Sequence, residues 1–301
     1  MHRFLNKIAF LLMIVLIGPA VMASMAQAPL PSVGPAPANF APAELERIVS
    51  PIALYPDPLL AQVLAGATFS DQIPDAARWA DQHHYLTGAA LPAAIAGDQV
   101  PWDPSVQALL PFPSILDMMA SDMPWTQELG NAFLAEPNAV MDAVQRQRQK
   151  AVRFGYLRSN PQVVVRTGPF IEIMPVNPDY IVVPYYDPMI VFAVPRPGLV
   201  VGGVIRFGFG VTLTAAFVPW GWHATHFDWG GHTVIINNAP WRRTWANRTT
   251  YVHPYTVPRY AARPRVEERH EVKERSQKER EDARHGVAPR EEHHEEHRPR
   301  H

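Results

Sequence analysis

The chain of 301 residues contains no cysteine. That absence excludes a disulfide framework, thiolate catalysis, cysteine-based metal sites and lipid attachment through a lipobox cysteine. Net charge is almost lacking too: 27 Lys and Arg face 28 Asp and Glu, a formal balance of -1. Such a balance gives no general attraction to nucleic acid or to an anionic membrane. Gly-x-Ser-x-Gly, a Walker loop, a complete Gly-x-Gly-x-x-Gly and His-Glu-x-x-His are all missing, which removes the signatures of the common hydrolase, nucleotide-binding and zincin classes. What is abundant is proline, 32 residues, about twice the usual ~5% share. It predicts short helices and extended turns instead of long regular elements. A hydrophobic share of 47% suffices for one or two ordinary cores.

The first residues read as an address. Arg3 and Lys7 precede a nearly unbroken apolar run from Ile8 to Met22, broken only at Gly18-Pro19, which is the order of a secretory signal. The run is shorter than the roughly 20 apolar residues of a membrane span. A cleaved signal peptide over residues 1–26 is therefore expected, with cutting after Ala23 or Ala26, and export to the periplasm or cell envelope. Residues 27–42 are Pro/Ala-rich and read as a linker.

From 43 to 158 apolar residues recur at helical spacing, and seven or eight short helices are expected. Asp57-Pro58 and Asp103-Pro104 look like helix starts, each with an aspartate cap and a proline in the first turn. On the last helix Val140, Ala143, Val144, Gln147 and Ala151 form an inner stripe, with Arg146, Arg148, Lys150 and Arg153 pointing mostly elsewhere. Residues 159–245 change to a Pro/Gly/Trp-rich β module, with strands expected at 162–167, 170–174, 180–183, 190–194 and 232–237. Across 198–222 the alternation of Ile205, Phe207, Phe209, Val211 and Leu213 favours a strand or hairpin. A helix, or contact with a membrane, stays open for that stretch, although Arg206 argues against spanning. Residues 246–301 form a charged, His-rich tail, expected to be disordered or a single solvated helix. The fold class is thus α+β: an N-terminal bundle of short helices, a small β-rich module and a charged tail.

Candidate chemistry is sparse. His223, His226, Asp228 and His232 share one Trp-rich loop, and His293, His294 and His297 sit in the tail. Neutral imidazole and carboxylate suit zinc, copper or nickel, yet the loop spacing matches no known metal motif and His-rich tails bind ions weakly. Trp220, Trp222, Trp229, Trp241 and Trp245 cluster in sequence and offer either an interaction surface or the filling of a small β core. Asp57 and Asp103 stand beside aromatic residues, as carboxylates of polymer-hydrolysing sites do, but capping accounts for them unaided.

The run from Ile48 to Leu64, reading IVSPIALYPDPLLAQVL, together with Ala76-Ala77-Arg78-Trp79, Trp102-Asp103-Pro104-Ser105-Val106, Trp125-Thr126-Gln127, Leu129-Gly130 and Met141 to Gln145, resembles the bacterial domain-of-unknown-function family 3300. The resemblance runs from about Ala43 to Trp245. It implies an N-terminal signal, a helical region, a Pro/Tyr-rich β segment and a variable polar tail. Many members carry a lipobox cysteine that this chain lacks. No activity, ligand or catalytic residue comes with the family. The reading that follows is a non-enzymatic envelope protein whose partner is an envelope protein or polymer. The alternatives are a periplasmic metal-binding protein and an envelope-polymer hydrolase.

Overall fold

The computed structural model describes residues 37, 39–194, 204–208 and 210–258. The bundle consists of α1 (Pro42–Val49), α2 (Asp57–Ala67), α3 (Ile73–Gln82), α4 (Ala90–Gly97), α5 (Pro104–Gln107), α6 (Pro113–Ser121), α7 (Met123–Ala135) and α8 (Pro137–Arg153). All but α4 carry proline at one of the first two positions, where its missing N–H removes no intrahelical bond. This is how a proline-rich chain builds many short helices. Asp122 caps α7 by accepting from the Trp125 N–H. At the other end of the bundle Gly155, with φ +76°, closes α8. The Tyr156 N–H bonds the Ala151 carbonyl and the Gly155 N–H bonds that of Val152, the paired reverse bonds of a Schellman ending.

Every residue of α2 is buried. Apart from Asp57 and Gln62 its sequence is apolar all round, which suits a helix only at the centre of a fold. It crosses α7 closely at Gly130, where a Cβ would stand 2.1 Å from the Ala67 carbonyl oxygen.

The strands are short. β1 (Val163–Thr167) and β2 (Ile171–Pro175) form an antiparallel hairpin. β3 (Tyr180–Ile181) pairs with β6 (Val211–Thr212), and β4 (Pro184–Tyr185) with β5 (Arg206–Phe207). These are two separate two-stranded ladders. The rings of Tyr180 and Tyr185 lie over Gly210 and Gly208, filling the space where a Cβ would stand. Arg206 and Thr212 are exposed while Leu213 is buried, so the described part of 198–222 is a one-sided strand pair running into a 3-10 segment at Ala215–Trp220. No helix among the described residues is long and apolar enough to cross a membrane. The strand expected at 190–194 is replaced by a short helix, α9 (Pro188–Val191). Asp187 starts it by accepting from the Met189 N–H at 2.8 Å. β7 (His226–Asp228), β8 (Thr233–Ile236) and β9 (Ala239–Pro240) form a three-stranded antiparallel sheet.

Mixed helices and small sheets make this an α+β protein. Leu59, Leu60 and Val63 of α2 share one continuous core with Phe217, Trp220, Phe227, Val234 and Ile236. Bundle and β segments therefore bury each other's apolar faces. The tail beyond 258 lies outside the described residues.

Candidate functional site

The first polar centre is buried. Arg148 of α8 has no exposed side-chain surface and Asp57 of α2 has 3%. The guanidinium donates through Nη1 to Asp57 Oδ1 at 2.7 Å and to the Ile171 carbonyl at 2.8 Å. Nε donates to the Ala53 carbonyl at 2.8 Å and Nη2 to that of Tyr55 at 3.0 Å. Four of the five guanidinium donors are thus placed. Asp57 also accepts from the Ile173 N–H at 3.3 Å and from Trp229 Nε1 at 3.1 Å, and the guanidinium stands 5.0 Å from the Trp229 ring centre. One ion pair joins α2, α8, β2 and the turn after β7. Alongside it the Gln145 side chain both accepts from the Ile171 N–H and donates to the Ile171 carbonyl, as a neighbouring strand would.

Two expectations are corrected here. Asp57 lies inside α2 and makes no capping bond; its carboxylate is drawn into the core by Arg148. Arg148 points inward, because residue 148 falls four positions after Val144 and shares its stripe. The other cations of α8 behave as expected: Arg146 and Lys150 reach Glu46 of α1. Burial pushes the Glu46 carboxyl up, but the two cations outweigh it and hold it below the usual range.

A second centre fixes residues 241–257 onto the bundle. Asp103 caps α5 by accepting from the Ser105 N–H at 2.9 Å and hydroxyl at 2.5 Å. Its two carboxylate oxygens also lie 2.7 and 2.8 Å from His253 Nε2. Trp241, Tyr251 and Tyr255 surround the imidazole at ring-centre distances of 5.4, 5.1 and 5.0 Å. Arg243 lies over Phe69 and donates to the Thr68 carbonyl. Burial pushes the Tyr255 phenol far above its ordinary range and lowers the Arg243 guanidinium. Carboxylate, not imidazole, is the central member of the Ser105–Asp103–His253 set. The imidazole does not touch the hydroxyl, so the set does not match the arrangement that activates a serine nucleophile.

His253→Ala is expected to lower stability by about 1–3 kcal/mol, and Asp103→Ala by roughly 1 kcal/mol more through the lost cap. In urea unfolding the double variant should cost less than the sum of the two. Strict additivity would show that the contact carries no coupling.

Two of the three histidines of the Trp-rich loop are brought to separate carboxylates. His223 Nε2 lies 3.2 Å from Asp179 and His232 Nε2 lies 2.9 Å from Asp142. His226 is exposed, and Asp228 accepts from the Gly231 N–H within its own turn. No group of three or more potential metal ligands occurs among the described residues. His293, His294 and His297 lie outside them. The tryptophans divide. Trp220, Trp222 and Trp229 are core residues, 0%, 2% and 4% exposed, so they cannot present an interaction surface. Trp220 Nε1 donates to Gln107, while the Trp220 carbonyl accepts from Gln62. Trp241 and Trp245 are half-buried.

Sequence reasoning missed His253 and Tyr186 as well as Arg148. Tyr186 donates its hydroxyl to the Ser50 carbonyl and accepts the Leu54 N–H, and its burial pushes the phenol well above its usual range. For Arg148 the stripe spacing was a usable signal; for His253, 150 residues from Asp103, there was none.

Together these contacts define an α+β scaffold in which Asp57 and Gln145 bind the β segment and Asp103 binds His253. The family described as Protein of unknown function (DUF3300) matches residues 41–257, and the chain belongs to that family. An uncharacterized protein, YacH of Escherichia coli (strain K12), is 34% identical over 186 residues, covering 51% of this chain and 30% of YacH. The chain thus spans under a third of the length of that relative. No solved structure matches.

Proposed function

We propose that this chain is an exported cell-envelope protein that acts by binding an envelope protein or polymer, as a structural or interaction protein, and not by turnover. The observation that carries the reading is the state of Asp57. It is the carboxylate of the motif block and the first one to consider for acid–base work, yet it is buried and held by an arginine, an indole and a backbone N–H. A carboxylate so engaged serves the fold. Asp103 and Asp187 are likewise held in caps. The order of basic residues, apolar run and small residues at the start of the chain supports export.

Fractionation of a bacterial host making the full chain with a C-terminal epitope tests this. The mature protein is expected in the osmotic-shock fraction with Ser24 or Gln27 as its first residue. Recovery from the cytoplasm with the N-terminal segment intact would overturn export.

A further inference from the structure

Between α3 and α6 lies a cleft of about 630 Å³, lined by Pro74, Ala77, Arg78 and Asp81 of one helix and Pro113, Ser114, Asp117 and Ala120 of the other. On each helix the lining residues follow helical spacing, so each presents one continuous face. Two prolines and two alanines supply the apolar part of the lining, and Arg78, Asp81, Ser114 and Asp117 the polar part. Arg78 is already paired with Asp75 one turn before it, and Ser114 Oγ is hydrogen-bonded to the Tyr185 hydroxyl at 3.3 Å. Asp81 and Asp117 are exposed, and neither carboxylate has a charged or hydrogen-bonding partner among the described residues.

We propose that this cleft takes an extended segment of a partner polypeptide carrying two lysine or arginine side chains. The cleft's volume falls within the ~300–1,000 Å³ of ordinary ligand sites, enough for a few residues. One unpaired carboxylate stands on each helix, and two cations on one strand of peptide meet both. The aliphatic stems of lysine or arginine cover apolar surface while their charged ends stay in water, so the Pro/Ala lining and the two carboxylates select the same side chains. The proposal rests on the reading of this chain as a binding protein and names the chemistry of one partner surface. It is independent of where the protein resides, so fractionation and the experiment below fail separately.

The test is fluorescence anisotropy on the full chain. The probe is a labelled Ala/Pro peptide with two lysines, beside the same peptide with both lysines replaced by glutamine. Saturable binding of the lysine peptide is expected, weakened at least tenfold in Asp81→Asn/Asp117→Asn and weakened again when salt rises from about 50 to 500 mM. Glu44→Gln, at an exposed carboxylate on α1, should leave binding unchanged. Both cleft aspartates are exposed, so thermal unfolding of the double variant should match that of the parent chain. Equal binding of the glutamine peptide, equal binding by the double variant, or competition by free spermidine as effective as by unlabelled peptide would each overturn the proposal.

Discussion

Arg148→Ala is expected to destabilise the protein by about 3–5 kcal/mol, the usual cost of removing one partner from a buried ion pair. The loss has two sources. Asp57 would keep only the Ile173 N–H and the Trp229 indole as donors, leaving its charge uncompensated away from water. In addition the carbonyls of Ala53 and Tyr55 would lose their guanidinium donors, and a buried polar group without a partner costs about 1–3 kcal/mol, whereas the Ile171 carbonyl would keep Gln145. Since a domain's total stability is about 5–15 kcal/mol, this substitution approaches the threshold of unfolding. Arg148→Lys retains the charge but has no planar fork to reach four acceptors, so it should fall between Ala and the parent. Asp57→Asn combined with Arg148→Met strands no charge and should recover part of the loss. Urea unfolding of these variants beside the parent gives the comparison. If Arg148→Ala shifted stability by less than about 1 kcal/mol, well under the buried-pair range, the pair would not be what joins α2 to α8.

Gly130→Ala is also expected to destabilise the protein, for a steric reason. The added methyl would stand 2.1 Å from the Ala67 carbonyl oxygen and 2.7 Å from its carbon. Both are backbone atoms of the helix end that α7 crosses, so no rotamer change relieves the contact and α2 itself has to move. Overpacking of this kind typically costs about 1–3 kcal/mol and occasionally more, and here it acts against a helix buried on every side. Alanine in place of glycine inside a helix would otherwise gain roughly 1 kcal/mol. Gly97, at the end of α4, has nothing within 4 Å of the place a Cβ would occupy, and it supplies the control. Gly97→Ala should be neutral or slightly stabilising in thermal denaturation. If both variants behaved alike, the close crossing of α2 and α7 would be wrong.

The parts of this fold that could be read from the sequence are those governed by neighbours in the chain. Proline-initiated helices, the β1–β2 hairpin and the cap at Asp103 all follow from residues within a few positions of each other. Asp57 shows where such reading stops. Asp57-Pro58 and Asp103-Pro104 are the same local signal, yet one aspartate caps a helix and the other is a buried anion. The difference is a partner 91 residues away. Similarly, the apolar character of 190–194 suggested a strand, but Asp187 turned the chain into a helix first. The tryptophans were legible as a group; which of them fill the core depended on α2, and nothing within 220–245 records that.

The length of chain enclosed by the core contacts sets when the fold can close. Gln62 meets the Trp220 carbonyl across 158 positions, and Asp57 meets Trp229 across 172. A growing chain therefore has its central helix long before it has the residues that cover it. Contacts so distant in sequence slow folding, because the ends of a long loop must meet before any burial rewards them. For a polypeptide threaded through a translocation channel, as proposed for this one, late closure keeps the chain in a form that can still pass.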